Sequence, residues 1–190
     1  ESLHEALILN DGGKPHLYTR KENQLESITP IDVIFPVLHG TFGEDGTIQG
    51  LFEIQNCAYV GAGVLGSSVA MDKAVCKHVM QSIGLPVLEY AVFSRREIQK
   101  NLQETIESAE CIASYPLFVK PANLGSSVGI SKVRNREELV KALELAARYD
   151  RRILVERGIA AREIEISVLG NTEVECTVPG EIVPGDEFYT

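Results

Sequence analysis

The chain has 190 residues, 44% hydrophobic and 24% charged, and its 18 Lys and Arg against 27 Asp and Glu leave a net charge of −9. Such a composition suits a soluble globular fold with a real core, in one domain or two small ones. Its acidity excludes nucleic acid, which needs many phosphates neutralised by basic side chains, and no apolar run approaches the roughly 18 residues that cross a bilayer.

Residues 1–5 show neither the basic start nor the apolar block of a secretory signal. The first periodic segment, Ala6-Leu7-Ile8-Leu9, then Asn10-Asp11-Gly12-Gly13, then His16-Leu17-Tyr18, predicts a β-hairpin. A polar stretch follows as far as Pro30. Val33-Ile34-Phe35-Pro36-Val37-Leu38 reads as a buried strand, apolar on both faces, from which Pro36 removes one ladder donor. After His39-Gly40 and a glycine-rich loop, a helix is predicted from about Thr47 with Ile48, Leu51, Phe52 and Gln55 on one face, then a short strand over 57–60.

Gly61-Ala62-Gly63-Val64-Leu65-Gly66 matches the dinucleotide fingerprint GxGxxG. It fails as one, because the acidic residue that should end the second strand is represented only by Glu89, in mid-strand. The glycines read instead as a crossing between two packed units. Asp72 predicts the N-cap of a helix with Val75, Val79 and Ile83 inward, ended by Gly84 and Pro86. A strand over 86–93 leads into a capping box, Ser94 with Glu97, and a helix with Ile98, Leu102 and Ile106 inward. Asn135 and Glu138 repeat that grammar ahead of Leu139, Ala142, Leu143 and Ala146. Residues 116–133 read as two strands joined by a Gly/Ser loop, and residues 153–156 and 163–169 as further strands. Strands alternating with helices mean α/β.

Cys57, Cys76, Cys111 and Cys176 have no CxxC spacing and no histidine at zinc distance, so they read as free thiols of a cytoplasmic protein. Beyond residue 159 stand seven carboxylates and only Arg162, which concentrates six of the nine net negative charges there.

Two segments carry chemistry. Lys120 ends a strand and is followed by Gly125-Ser126-Ser127-Val128-Gly129, which brings one ammonium and several small-residue amides near one point, an arrangement suited to phosphate. A hairpin turn with an edge lysine is the plain alternative. The strand Ile153-Leu154-Val155 ends in Glu156, with Arg157 and Ile159 behind it and Glu163 opening the next strand. Two carboxylates about an apolar residue suit the amino edge of adenine and the hydroxyls of ribose, although two exposed acids at strand ends would look the same.

Together these segments resemble the ATP-grasp superfamily and, within it, the D-alanine:D-alanine ligases. The carrying residues are the run from Leu38-His39-Gly40 through Gly43-Glu44-Asp45-Gly46-Thr47 to Gln49-Gly50, then Tyr59-Val60-Gly61-Ala62-Gly63-Val64, Met71-Asp72-Lys73 and Gly84-Leu85-Pro86. Val119-Lys120-Pro121 with its glycine loop, Glu156 and Glu163 complete the set.

The resemblance implies an N-terminal parallel-sheet domain (1–70, partial), a central ATP-grasp subdomain (71–159) and the start of a C-terminal subdomain (160–190). It implies ATP-driven joining of two D-alanines through an acyl phosphate, for peptidoglycan precursor synthesis, in a cytoplasmic homodimer. Lys73 and Lys120 would hold phosphates, with Gly125, Ser126 and Ser127 in the loop closing over them. Glu156, Arg157, Ile159 and Glu163 would bind adenine and ribose. His39 would face D-alanine, with Ser126 beside the reacting groups, and Glu44 would fix its own loop. Magnesium or manganese would find its protein ligands beyond Thr190. The family's N-terminal glycine-rich segment with its glutamate is not reproduced over residues 1–10, so the chain is expected to be inactive alone. Two other readings remain: a different ATP-grasp carboxylate-amine ligase, or a nucleotide-binding fragment without turnover.

Overall fold

Gly12 and Gly13 take φ values of 59° and 91°, the pair of left-handed conformations that a two-residue hairpin turn demands. Around them β1 (Ala6–Asp11) pairs antiparallel with β2 (Lys14–Lys21), as the sequence predicts. The computed structural model describes residues 6–21, 24–125 and 127–183. They divide into two units, one within residues 6–87 with 122–125 and the other within residues 88–121 with 127–183.

In the first unit, the polar stretch before Pro30 is a third strand, β3 (Gln24–Pro30), exposed throughout and paired to β2. The expected buried strand over 33–38 does not form. Ile34 makes one parallel bridge to Tyr59, and Phe35 and Val37 are 71% and 72% exposed. The expected strand over 57–60 shrinks to the same bridge. A strand apolar on both faces is stable only between hydrogen-bonded neighbours and under two covering layers. Among the described residues this one has a single neighbour, so the parallel sheet is represented by that bridge alone.

α1 (Thr47–Ile54) starts where predicted, but its inward residues are Gln49 and Phe52, while Leu51 is exposed. Gln55 at its end ties the hairpin to the helix, accepting from the Asn10 backbone at 2.7 Å while its carbonyl accepts from the Asn10 amide at 3.0 Å. The fingerprint glycines lie inside this unit and lead into α2 (Val64–Met71). Ser68 Oγ there lies 2.8 Å from the Asp45 carbonyl. Asp72 caps α3 (Lys73–Ser82) by accepting from Val75 N at 3.0 Å. Ala74, rather than the predicted Val79 and Ile83, is the buried residue of this helix.

In the second unit β4 (Tyr90–Ser94), β7 (Arg152–Arg157), β5 (Leu117–Pro121) and β6 (Ser131–Val133) form one antiparallel sheet in that order. β4 begins four residues later than expected. Ser94 and Glu97 make the predicted capping box. The helix it opens is broken at Asn101 into α4 (Arg95–Lys100) and α5 (Leu102–Glu110) because Asn101 takes a non-helical backbone and caps the second piece. α6 (Arg136–Tyr149) is capped by Asn135, which accepts from Glu138 N at 2.9 Å, and buries the four predicted residues Leu139, Ala142, Leu143 and Ala146.

The strand period of two sends Leu117, Val119, Val133, Ile153 and Val155 to one face, where they pack with the four α6 residues and with Ile98 and Ile106. Phe118, Lys120, Leu154 and Glu156 therefore share the opposite face. Residues 163–169 resolve into two short strands, β8 (Glu163–Glu165) and β9 (Val168–Gly170), which pair antiparallel with β11 (Gly180–Ile182) and β10 (Val174–Cys176) respectively. No helix among the described residues is long and apolar enough to cross a membrane.

Two stability predictions follow from the α6 end of this unit. Asn135→Ala removes the cap and should cost about 0.5–2 kcal/mol, read as a lower urea midpoint at unchanged m-value. Glu110 accepts from Arg136 Nε at 3.0 Å and from the Tyr115 hydroxyl at 2.8 Å, and its second oxygen pairs with the same guanidinium. Arg136 first, and Tyr115 next, hold the Glu110 carboxyl below its ordinary value of 4.5. A carboxylate depressed in the folded state contributes stability that is present above its unfolded pKa and lost as pH falls through the folded one. Glu110→Gln should therefore flatten the fall of the melting temperature below about pH 4.5 and leave the profile above pH 6 parallel to that of the parent.

Candidate functional site

β5 and β7 are aligned so that Phe118 lies opposite Glu156 and Lys120 opposite Leu154. That register places the lysine diagonal to the glutamate on one face of the sheet, within reach of a long side chain. Lys120 Nζ donates to Glu156 Oε1. It also stands 5.3 Å from the centroid of the Phe118 ring, in cation–π range. Glu156 is only 5% exposed, and a carboxylate so buried is stable only when paired. The two charges that the sequence assigns to opposite ends of a nucleotide are thus neighbours, on the sheet face turned away from α6.

Lys73 is held at the start of α3 by Asp72 and turns back to the glycine/serine loop. Its backbone N–H donates to the Ala122 carbonyl at 2.9 Å, and its ammonium to the Leu124 carbonyl at 2.5 Å. A lysine donating to loop carbonyls carries its charge to the backbone that would surround a phosphate. Gly125, the next residue of that loop, touches Gly40: a Cβ built on Gly125 would lie 3.0 Å from Gly40 Cα. Ser126 lies outside the described residues. Ser127 takes φ 56°, a left-handed conformation costly for a side-chain residue. Gly129 (φ 72°) is pressed on Tyr149 and Pro121 so closely that a Cβ would meet them at 2.8 and 2.9 Å.

His39 is exposed at the mouth of the loop that Glu44 closes. The Glu44 carboxylate accepts from Gly40 N, and Gly43 N and Glu44 N both donate to the Gly40 carbonyl. Gln49, buried, donates to the Gly43 carbonyl at 2.9 Å. The loop-fixing role expected of Glu44 matches these bonds.

The remaining candidates are more exposed. Arg157 pairs with Glu89 at 3.3 Å, both about half-exposed. Ile159 is exposed in the segment after β7, and Glu163 is exposed on β8 opposite Ile182. Reasoning from sequence missed the partners Leu124, Phe118 and Gly40. Phe118 was readable, since a residue two positions before Lys120 in a strand shares its face, whereas the other two depend on tertiary contacts that no local pattern announces.

A four-stranded antiparallel sheet backed by helices, with a strand lysine paired to a strand-end glutamate on the face away from α6, is the arrangement of the ATP-grasp fold. The D-ala D-ala ligase C-terminus profile matches residues 79–190 and the D-ala D-ala ligase N-terminus profile residues 4–62. The chain belongs to the D-alanine–D-alanine ligase family. Among its relatives, the D-alanine–D-alanine ligase of Natranaerobius thermophilus is 54% identical over 96% of this chain and 49% of its own length, and that of Ruminiclostridium cellulolyticum is 55% identical over 100% and 50%. Among solved structures, the D-alanine-D-alanine ligase of Coxiella burnetii superposes with a TM-score of 0.74 at 38% identity, covering 88% of this chain and 50% of that one. The VanG D-Ala:D-Ser ligase of Enterococcus faecalis does so with a TM-score of 0.76 at 34% identity, covering 95% and 55%. The chain spans about half the length of the curated relatives it matches.

Proposed function

We propose that this chain supplies the nucleotide-holding part of an ATP-dependent D-alanine:D-alanine ligase that makes peptidoglycan precursor in the cytoplasm, as a homodimer. The observation that carries the reading is the pairing of Lys120 with Glu156 on the sheet face turned away from α6. On nucleotide binding Lys120 turns its charge to the phosphates and Glu156 accepts from the adenine amino group, each exchanging its partner for one on the ligand. Lys73 and the backbone of Gly125, Ser126 and Ser127 surround the phosphates, Arg157 and Ile159 line the adenine slot, and Glu163 accepts from ribose hydroxyls. His39 faces D-alanine, and Ser126 stands beside the reacting groups.

The carboxylate of the first D-alanine attacks the γ-phosphorus and ADP leaves. The amine of the second then attacks the acyl phosphate, expelling phosphate and forming the peptide bond. Alignment of the reactants is worth up to about 7–11 kcal/mol in ideal cases, and closure of the loop keeps water from the acyl phosphate. Among the described residues no three His, Cys, Asp or Glu side chains group to hold the divalent metal that the family implies.

The test is ADP release by the full-length protein with ATP and magnesium. Release that requires D-alanine and yields D-alanyl-D-alanine supports the reading. Release driven instead by another carboxylate and amine, or none with D-alanine, contradicts it. Because a D-Ala:D-Ser ligase is among the structural neighbours, D-serine belongs in the assay as a competing second substrate.

A further inference from the structure

Two backbone segments that the proposed reaction assigns to different substrates touch through a pair of glycines. Gly40, directly after His39, is buried with φ 72°. It is pinned on both sides: its N–H donates to Glu44, and its carbonyl accepts from Gly43 N at 3.2 Å and Glu44 N at 2.9 Å. Glu44 and Gly43 are themselves set by α1, since Gln49 grips the Gly43 carbonyl. On the other side, the loop bearing Gly125 is held by the two bonds that Lys73 makes to the carbonyls of Ala122 and Leu124. Where the two segments meet, a Cβ on Gly125 would stand 3.0 Å from Gly40 Cα, 3.7 Å from Gly40 N and 3.9 Å from Met71 Cε. The partner atoms at 3.0 and 3.7 Å are backbone, which cannot swing aside as the end of a side chain can.

We propose that Gly125 is a positioning residue, and that its backbone contact with Gly40 couples the loop that takes the ATP phosphates to the turn that presents His39 to D-alanine. The inference rests on the substrate assignment above. A nucleotide seated on the loop bears on the turn through this backbone contact, so the second ligand meets a turn whose position the first has set. Linkage makes the effect reciprocal: whatever factor the nucleotide adds to D-alanine affinity, D-alanine adds to nucleotide affinity. A side chain at 125 must separate two segments that are each fastened elsewhere. The separation is a few tenths of an ångström for Ala and more for Val, and it uncouples them in that order.

The experiment measures the D-alanine dissociation constant of the full-length protein by calorimetry, with and without a saturating non-hydrolysable ATP analogue. The ratio of the two constants reports coupling whatever a variant does to nucleotide affinity itself. The parent protein should give a ratio of about fivefold or more, Gly125→Ala a smaller one, and Gly125→Val a ratio of about one. If the valine protein does not fold, the alanine protein alone carries the test through its intermediate ratio. A parent ratio of one, or a parental ratio retained in the variants, overturns the coupling while leaving the ligase reading in place. Failure of the parent to bind D-alanine in either condition overturns the ligase reading and the coupling together.

Discussion

Replacing Lys120 with Ala in the full-length protein should lower kcat/KM for ATP by about 10²–10³-fold, corresponding to roughly 2.7–4 kcal/mol for one well-placed donor to a charge that develops in the transition state. The effect should fall on kcat as well as on KM, because an ammonium beside transferring oxygens matters most when charge moves onto them. The same substitution strips Glu156 of its cation in a setting where the carboxylate is nearly inaccessible, so the folded protein should also melt lower. Lys120→Arg separates the two effects. It restores a positive charge beside Glu156 and hence the melting temperature, but a planar fork does not reproduce a point charge at a phosphate. Stopped-flow and steady-state rates for the parent and both variants, with their melting curves, decide it. Parental turnover in Lys120→Ala would remove the residue from the phosphate site.

Replacing Glu156 with Ala should act differently. A hydrogen bond from a ligand to a charged acceptor is worth about 1.5–3 kcal/mol, so KM for ATP should rise by roughly 10–100-fold with kcat changed much less, the signature of binding lost equally in ground and transition states. Because Lys120 is 23% exposed, its freed ammonium can reach water, and the stability loss should be smaller than for a fully enclosed pair. Glu156→Gln keeps one acceptor oxygen for the adenine amino group and should recover part of the KM. An unchanged KM in Glu156→Ala would make the pair a structural tie between β5 and β7.

These expectations depend on features of unequal visibility in the sequence. Hydrogen bonding within a few residues was legible: the Gly12 and Gly13 turn, the caps at Asp72, Ser94 and Asn135, and the four-residue apolar stripe of α6 each follow from local chemistry. What depended on distant partners was less so. β3 carries no apolar alternation because both its faces meet solvent, so only its ladder to β2 defines it. Residues 33–38 have the composition of a central strand, yet composition states what a segment needs covered and not what covers it. α3 has an apolar repeat on a face left largely exposed, while a single alanine is buried.

The site divides in the same way. That Lys120 ends a strand before a glycine loop, and that Glu156 ends another, could be read directly. That one donates to the other follows from the register of β5 on β7. The Gly40 and Gly125 contact joins segments far apart along the chain. The glycines of GxGxxG show the converse hazard: a motif with a phosphate-binding spelling that here leads into α2 within one unit.

The most direct measurement is a crystal structure of the full-length protein with ADP. The diphosphate should lie within hydrogen-bond distance of Lys120 Nζ and the adenine amino group within hydrogen-bond distance of a Glu156 oxygen, both on the sheet face opposite α6. A nucleotide bound elsewhere, with the Lys120 ammonium still on Glu156 and neither residue touching the ligand, would contradict it.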